Sequence, residues 1–123
     1  MTELLPPLTI EASTTFVVST ALATRDFQDV HHDRDAALRR GSDDIFLNIL
    51  TTTGLVQRFV TDWAGSDSLV RNVSIKLGVP CYAGDTLVFT GEATEEDGET
   101  VVRVRGRCSL GDHVTGTVRL VGP

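Results

Sequence analysis

Residues 42–65, SDDIFLNILTTTGLVQRFVTDWAG, limit what this chain can fold into more than any other stretch. Ile45, Ile49, Val56, Phe59, Val60 and Trp63 recur at helical spacing. Phe46, Leu47, Leu50 and Leu55 widen the apolar stripe to most of the circumference. A helix apolar on nearly all sides has to be enclosed, since a surface helix keeps one polar face. Ser42 or Asp43 is placed to cap it, acids fill the first turn, and Gly65 stops it. The threonines at 51–53 and Gly54 lower its intrinsic propensity, so tertiary packing must hold it.

The rest of the chain supplies the enclosure. TTFVVSTAL (14–22) is rich in β-branched residues and reads as a strand, and DRDAALRR (33–40) as a short helix ended by Gly41. After residue 65 the pattern alternates. SLVRNVSIKLGVP, DTLVFTGEAT, TVVRVRGRCSL and HVTGTVRLV read as four strands. They are separated by Gly84-Asp85, Asp97-Gly98 and Gly111-Asp112, the second a strong hairpin signal. One early strand, one long buried helix and an antiparallel meander together predict an α+β chain. A curved antiparallel sheet wrapped around the central helix buries both apolar surfaces at once, which is the hot-dog fold. The rival is a generic α+β sandwich with the helix covering one face. With no repeat, low-complexity tract or linker, 123 residues read as a single domain spanning 1–123.

Charge narrows the function. At a net charge of -6, with Lys and Arg gathered into no stripe, the chain is not expected to bind nucleic acid. No apolar run is long enough to span a bilayer, and MTELLPPL lacks a signal-peptide pattern. Cys81 and Cys108 have no CxxC spacing and read as reduced thiols in a cytoplasmic protein.

Proton-handling groups concentrate at one place. In ATRDFQDVHHD (23–33), His31 and His32 sit among Asp26, Asp29 and Asp33. The loop alone admits three readings: a solvated turn whose aspartates cap the next helix, a metal site, or an acid–base pair. Adjacent histidines cannot both face one site on a regular element, and no cysteine is near in sequence, so no metal is expected.

The acid–base reading gains from a resemblance. DFQDVHHD resembles the signature of the MaoC-like, or R-specific, enoyl-CoA hydratases: Asp, any residue, Asn, Pro, an aliphatic residue, His, any residue, then Asp or Glu. Asp26, Val30, His31 and Asp33 match, whereas Gln28 and Asp29 replace the Asn-Pro pair. KLGVPCYAGDTLVFTGEAT resembles the strand pair of that family. RDFQDVHHDRD, NILTTTGLVQRFVTDWAG and LGDHVTGTV are similar to a branch that acts on steroid side chains in actinobacteria. In that branch a short MaoC-like chain pairs with a larger chain carrying a second MaoC-like domain and a DUF35 domain.

The resemblance implies a hot-dog enoyl-CoA hydratase subunit in which Asp26 is the general base and His31 binds the same water. It implies backbone N–H donors for the thioester oxygen at Asn48 and Ile49, where the family usually has His-Gly. CoA would arrive with the acyl substrate and no separate cofactor would be needed. The expected partner is the larger MaoC-like/DUF35 chain, in a heterodimer or heterotetramer, with a thiolase-like aldolase reached through that chain. His32 and His113 read as bystanders, His113 at a surface or edge. Arg39, Arg40, Arg58, Arg71 and Lys76 are the cations available for CoA phosphates. A hot-dog acyl-CoA thioesterase and a non-catalytic stabilising subunit are the competing readings.

Overall fold

A computed structural model describes residues 2–122. Six antiparallel strands form one sheet: β1 (Glu3–Leu4), β2 (Leu8–Ala12), β3 (Leu69–Leu77), β4 (Asp85–Glu96), β5 (Glu99–Cys108) and β6 (Gly111–Val121). The order is β1-β4-β5-β6-β3, and β2 also pairs with β4. β1 faces Glu92 and Ala93, and β2 faces Asp85–Phe89, so the two short strands share one edge of β4. Pro6 and Pro7 separate them, because proline brings a fixed φ and no N–H for the ladder. The hairpin at Asp97 (φ 54) and Gly98 (φ 79) has the left-handed pair that a tight two-residue turn requires. The next turn lies at Ser109-Leu110, two residues ahead of its expected place.

Helix α3 (Ile49–Ala64) crosses the concave face of this sheet. Thr51, Thr52, Leu55, Val56, Phe59 and Val60 are its buried residues, at intervals of three and four. They meet inward residues of the strands: Leu87 and Phe89 of β4, Val102 and Val104 of β5, Val114 and Val118 of β6. Phe59 stacks on Phe89 with centroids 5.9 Å apart. A Cβ at Gly91 would lie 2.9 Å from Phe59 Cε2, so glycine there is what lets the helix close on β4. The wrapped helix is the expected hot-dog arrangement. Among the described residues, no helix is long and apolar enough to cross a membrane. Cys81 and Cys108 are free thiols. Burial, with Cys108 and Asp85 adding to it, pushes the Cys81 thiol up to about 12.

Several local expectations are corrected. TTFVVSTAL is not a strand but helix α1 (Thr14–Ala23). The Ser13 side chain caps it by accepting from Phe16 N, and Val17 and Ala21 bury one side. The early strand is β2, just before it. The long helix starts at Ile49, not near Ser42 or Asp43. Residues 45–47 are held extended by backbone bonds instead. Phe46 N donates to Val30 O, Leu47 N to Cys81 O, and Ala83 N to Ile45 O. Ile45 and Leu47 are buried alternately, as on a strand, while Ile49 and Leu50 are half exposed. The apolar run that looked like one wide stripe is therefore an extended segment followed by an amphipathic helix. His113 is no surface residue either; it is buried.

Candidate active site

Asp26 owes its place to the end of α1. The helix stops in a Schellman motif: Asp26 N donates to Ala21 O at 2.9 Å and Arg25 N to Leu22 O at 3.0 Å. Arg25 takes the left-handed position (φ 57) that glycine usually fills. A non-glycine residue held there is local strain of a kind that gathers at functional sites. The carboxylate is then fixed from two sides. Gln28 N donates to Oδ1 at 3.3 Å, and Asn48 Nδ2 donates to Oδ2 at 3.1 Å. Gln28, which stands where the resembled motif has Asn, reaches Asp26 through its backbone.

A short 3-10 turn, Asp29–His31, carries the histidine. His31 Nδ1 lies 2.8 Å from Phe46 O. A carbonyl can only accept, so Nδ1 bears the hydrogen and the neutral ring presents a lone pair at Nε2. That nitrogen lies 3.5 Å from Asp26 Oδ2. The Phe46 ring meets the imidazole edge-on at 4.9 Å. His31 is 8% exposed in its side chain and Asp26 21%, so the pair is walled in but reachable.

The other acids and the second histidine of the loop are occupied. Asp29 pairs with Arg40 at 2.7 Å, Asp33 caps α2 (Arg34–Arg39) by accepting from Ala36 N, and exposed His32 bonds Phe27 O through Nε2. The solvated-turn reading holds for these three residues and fails for Asp26 and His31.

Asn48 joins the pair to α3. It is the N-cap residue, with Oδ1 accepting from Thr51 N at 3.3 Å. Its Nδ2 also donates to Thr24 Oγ1 at 2.9 Å. Among the described residues, the N–H groups of Asn48, Ile49 and Leu50 have no hydrogen-bond acceptor. Thr51 Oγ1, in the same turn, is buried without a partner. The start of α3 therefore offers free donors and the positive end of the helix dipole beside an acid–base pair. The sequence reading expected backbone donors at Asn48 and Ile49. It missed the carboxamide that holds Asp26, because the approach of residues 24 and 26 to residue 48 depends on α1 being a helix. Of the cations available for CoA phosphates, Arg40 and Arg58 are paired with Asp29 and Asp62.

With Nδ1 bonded to Phe46 O, Nε2 of the neutral imidazole is an acceptor, as is the Asp26 carboxylate oxygen. Two acceptors converging at 3.5 Å suit a water that donates to each and keeps its own lone pairs free for attack. The hot-dog unit places this pair beside the start of its long helix. No family model matches the chain. It is 62% identical over 117 residues (94% of this chain, 91% of the relative) to the 3-oxo-4,17-pregnadiene-20-carboxyl-CoA hydratase beta subunit of Mycobacterium tuberculosis. Its structure matches a chain of the M. tuberculosis ChsH1-ChsH2 complex at TM-score 0.95 and 60% identity, covering 98% of this chain and 96% of that one. The (R)-hydratase of A. caviae involved in PHA biosynthesis matches at TM-score 0.87 and 20% identity, over 98% and 95% of the two chains, a likeness of fold. The chain belongs to the MaoC-like hydratase family, alongside that M. tuberculosis beta subunit.

Proposed function

We propose that this chain is the smaller subunit of a two-chain enoyl-CoA hydratase acting on a steroid side-chain thioester, and that Asp26 and His31 activate the water. The observation that carries the reading is the convergence of Asp26 Oδ2 and His31 Nε2 at 3.5 Å. It occurs in a chain 62% identical to a subunit named for hydration of a pregnadiene carboxyl-CoA.

The reaction adds one water across the double bond. The water held by the pair attacks the β-carbon and gives a proton to Asp26. Electron density moves to the thioester oxygen as the enolate forms. Donors aimed at that developing charge, the free N–H groups at the start of α3, lower the barrier more than they stabilise the substrate. The α-carbon then takes a proton from the pair on the same face, so hydroxyl and hydrogen both derive from the water. His31 keeps the water oriented and relays the proton. CoA enters as part of the substrate, and the scheme needs no further cofactor. The larger MaoC-like/DUF35 chain is the proposed partner, making room for the ring system and linking the enzyme to a thiolase-like aldolase. The site of action in this scheme is the cytoplasm.

The test is hydration of 3-oxo-4,17-pregnadiene-20-carboxyl-CoA by the complex of this chain with its larger partner. Asp26→Asn and His31→Ala should each lower turnover by about 10²- to 10⁴-fold without loss of assembly. His32→Ala should be mild. An assembled Asp26→Asn complex with wild-type turnover would overturn the mechanism. Release of free CoA in place of hydration would favour the thioesterase reading.

A further inference from the structure

His113 and Thr52 close a ring of tethers around the site that the scheme above leaves unused. Thr52 Oγ1 and His113 Nε2 are 2.8 Å apart, and His113 Nδ1 is 2.7 Å from Val79 O. The Val79 carbonyl can only accept, so the neutral ring carries its hydrogen on Nδ1 and accepts from the Thr52 hydroxyl at Nε2. Thr52 N in turn donates to Asn48 O at 3.1 Å, the bond that closes the first turn of α3. On the other side, Val79 leads through Pro80 to Cys81, whose carbonyl accepts from Leu47 N. The path Asn48, Thr52, His113, Val79, Cys81, Leu47 thus returns to Asn48.

Three features mark this ring as built for placement. Thr53 and Thr61 of the same helix turn their hydroxyls back to the carbonyls four residues earlier, Ile49 O and Gln57 O. This is the usual habit of a helical threonine. Thr52 instead reaches outward to His113. The 78–79 segment is also locked against β6, with Gly78 N on His113 O at 2.7 Å and Val79 N on Asp112 O at 2.9 Å. A Cβ at Gly78 would collide with the Asp112 backbone carbonyl, so the close approach requires glycine. Thr52 and His113 are 0% and 3% exposed, so water does not compete for the bond.

We infer that His113 is a positioning residue for hydration: through the Thr52 hydroxyl it fixes the first turn of α3, and with it the Asn48 amide on Asp26 and the free N–H groups. The inference rests on the Asp26–His31 reading. It makes no contact with substrate necessary. Displacing a reacting group by even about an ångström can cost up to about 10²-fold in rate, so loss of the tether acts on kcat.

The experiment compares Thr52→Val, Thr52→Ser and His113→Asn in the complex with the larger subunit, using 3-oxo-4,17-pregnadiene-20-carboxyl-CoA. Thr52→Val should lower kcat about tenfold with KM changed less than about twofold, and Thr52→Ser should restore most of it. His113→Asn keeps a donor for Val79 but falls short of Thr52, so it should match Thr52→Val. It is the variant to read if Thr52→Val does not assemble. In an Asn48→Ala background the Asp26 donor is already gone, so Thr52→Val should cost less than it does in the wild-type chain, the remainder acting through the free N–H groups. Wild-type kcat in both Thr52→Val and His113→Asn, or a fully additive loss beside Asn48→Ala, would overturn the inference. An Asp26→Asn control that remains active would instead overturn the reading beneath it.

Discussion

Asn48 Nδ2 lies 3.1 Å from Asp26 Oδ2, while Asn48 Oδ1 accepts from Thr51 N. One carboxamide thus caps the long helix and orients the carboxylate. Asn48→Ala should remove both services at once. The lost cap should cost about 1 kcal/mol, or roughly 4 °C in melting temperature for a domain of this size. Turnover should fall about tenfold or more, since the carboxylate loses a charge-assisted bond. Asn48→Ser keeps a capping hydroxyl and loses the reach to Asp26. It should melt near the wild type and still turn over slowly. Melts and steady-state rates on the two variants separate the roles.

The buried His113 sets a pH dependence for stability. Burial pushes its imidazole below the ordinary 6.5, and the bond to Val79 opposes that only in part. In the window below 6.5 the unfolded chain binds a proton that the folded chain refuses. The contribution is therefore full above about 6.5 and is lost as pH falls toward the depressed folded value. The wild-type melting temperature should drop between about pH 7 and pH 5 more steeply than that of His113→Asn, which has no such group. Equal slopes would show that His113 is not held neutral. Asp85 belongs to a lower window. Burial alone would raise its carboxyl, but bonds from Ser109 and Thr86 outweigh this and hold it below 3.8. Its contribution is present above that value and fades only in stronger acid.

Two apolar residues of α3, Val56 at its middle and Leu50 in its first turn, should respond differently to charge. Val56 is 0% exposed and Leu50 is 53% exposed. Val56→Asp buries an unpaired charge, at a cost of several kcal/mol, comparable to the whole stability of a small domain. Leu50→Lys should stay within about 0.5 kcal/mol, as ordinary surface substitutions do. The sequence alone placed both residues in the core. Circular-dichroism melts distinguish the cases, and a Val56→Asp chain melting like the wild type would rule out the wrapped helix.

Gly91→Val should be damaging for a reason of shape rather than polarity. Its first carbon would lie 2.9 Å from Phe59 Cε2 and 3.0 Å from Arg103 O. Overpacking of this kind costs about 1–3 kcal/mol, and the helix has to lift from β4 to relieve it. The measured loss should shrink in a Phe59→Leu background, where the obstructing ring is gone. Equal losses in both backgrounds would place the strain elsewhere.

What the sequence determined by itself was what short-range chemistry can specify. The strand patterns in 85–94, 100–110 and 113–121 and the Asp97-Gly98 turn signal defined the meander. The buried helix and the meander together defined the wrapped sheet. The five-residue spacing of Asp26 and His31 held the dyad within one loop. Tertiary structure alone decided the rest. Propensity differences amount to fractions of a kcal/mol per residue, so TTFVVSTAL became a helix once Ser13 capped it and Val17 and Ala21 found a wall. Residues 45–47 became extended because three backbone bonds to distant loops outweighed helical continuation. Asn48 reached Asp26, and Thr52 reached His113, across 22 and 61 residues. No local pattern encodes such a meeting, because a buried polar group is satisfied by whichever partner the packed sheet and helix bring to it.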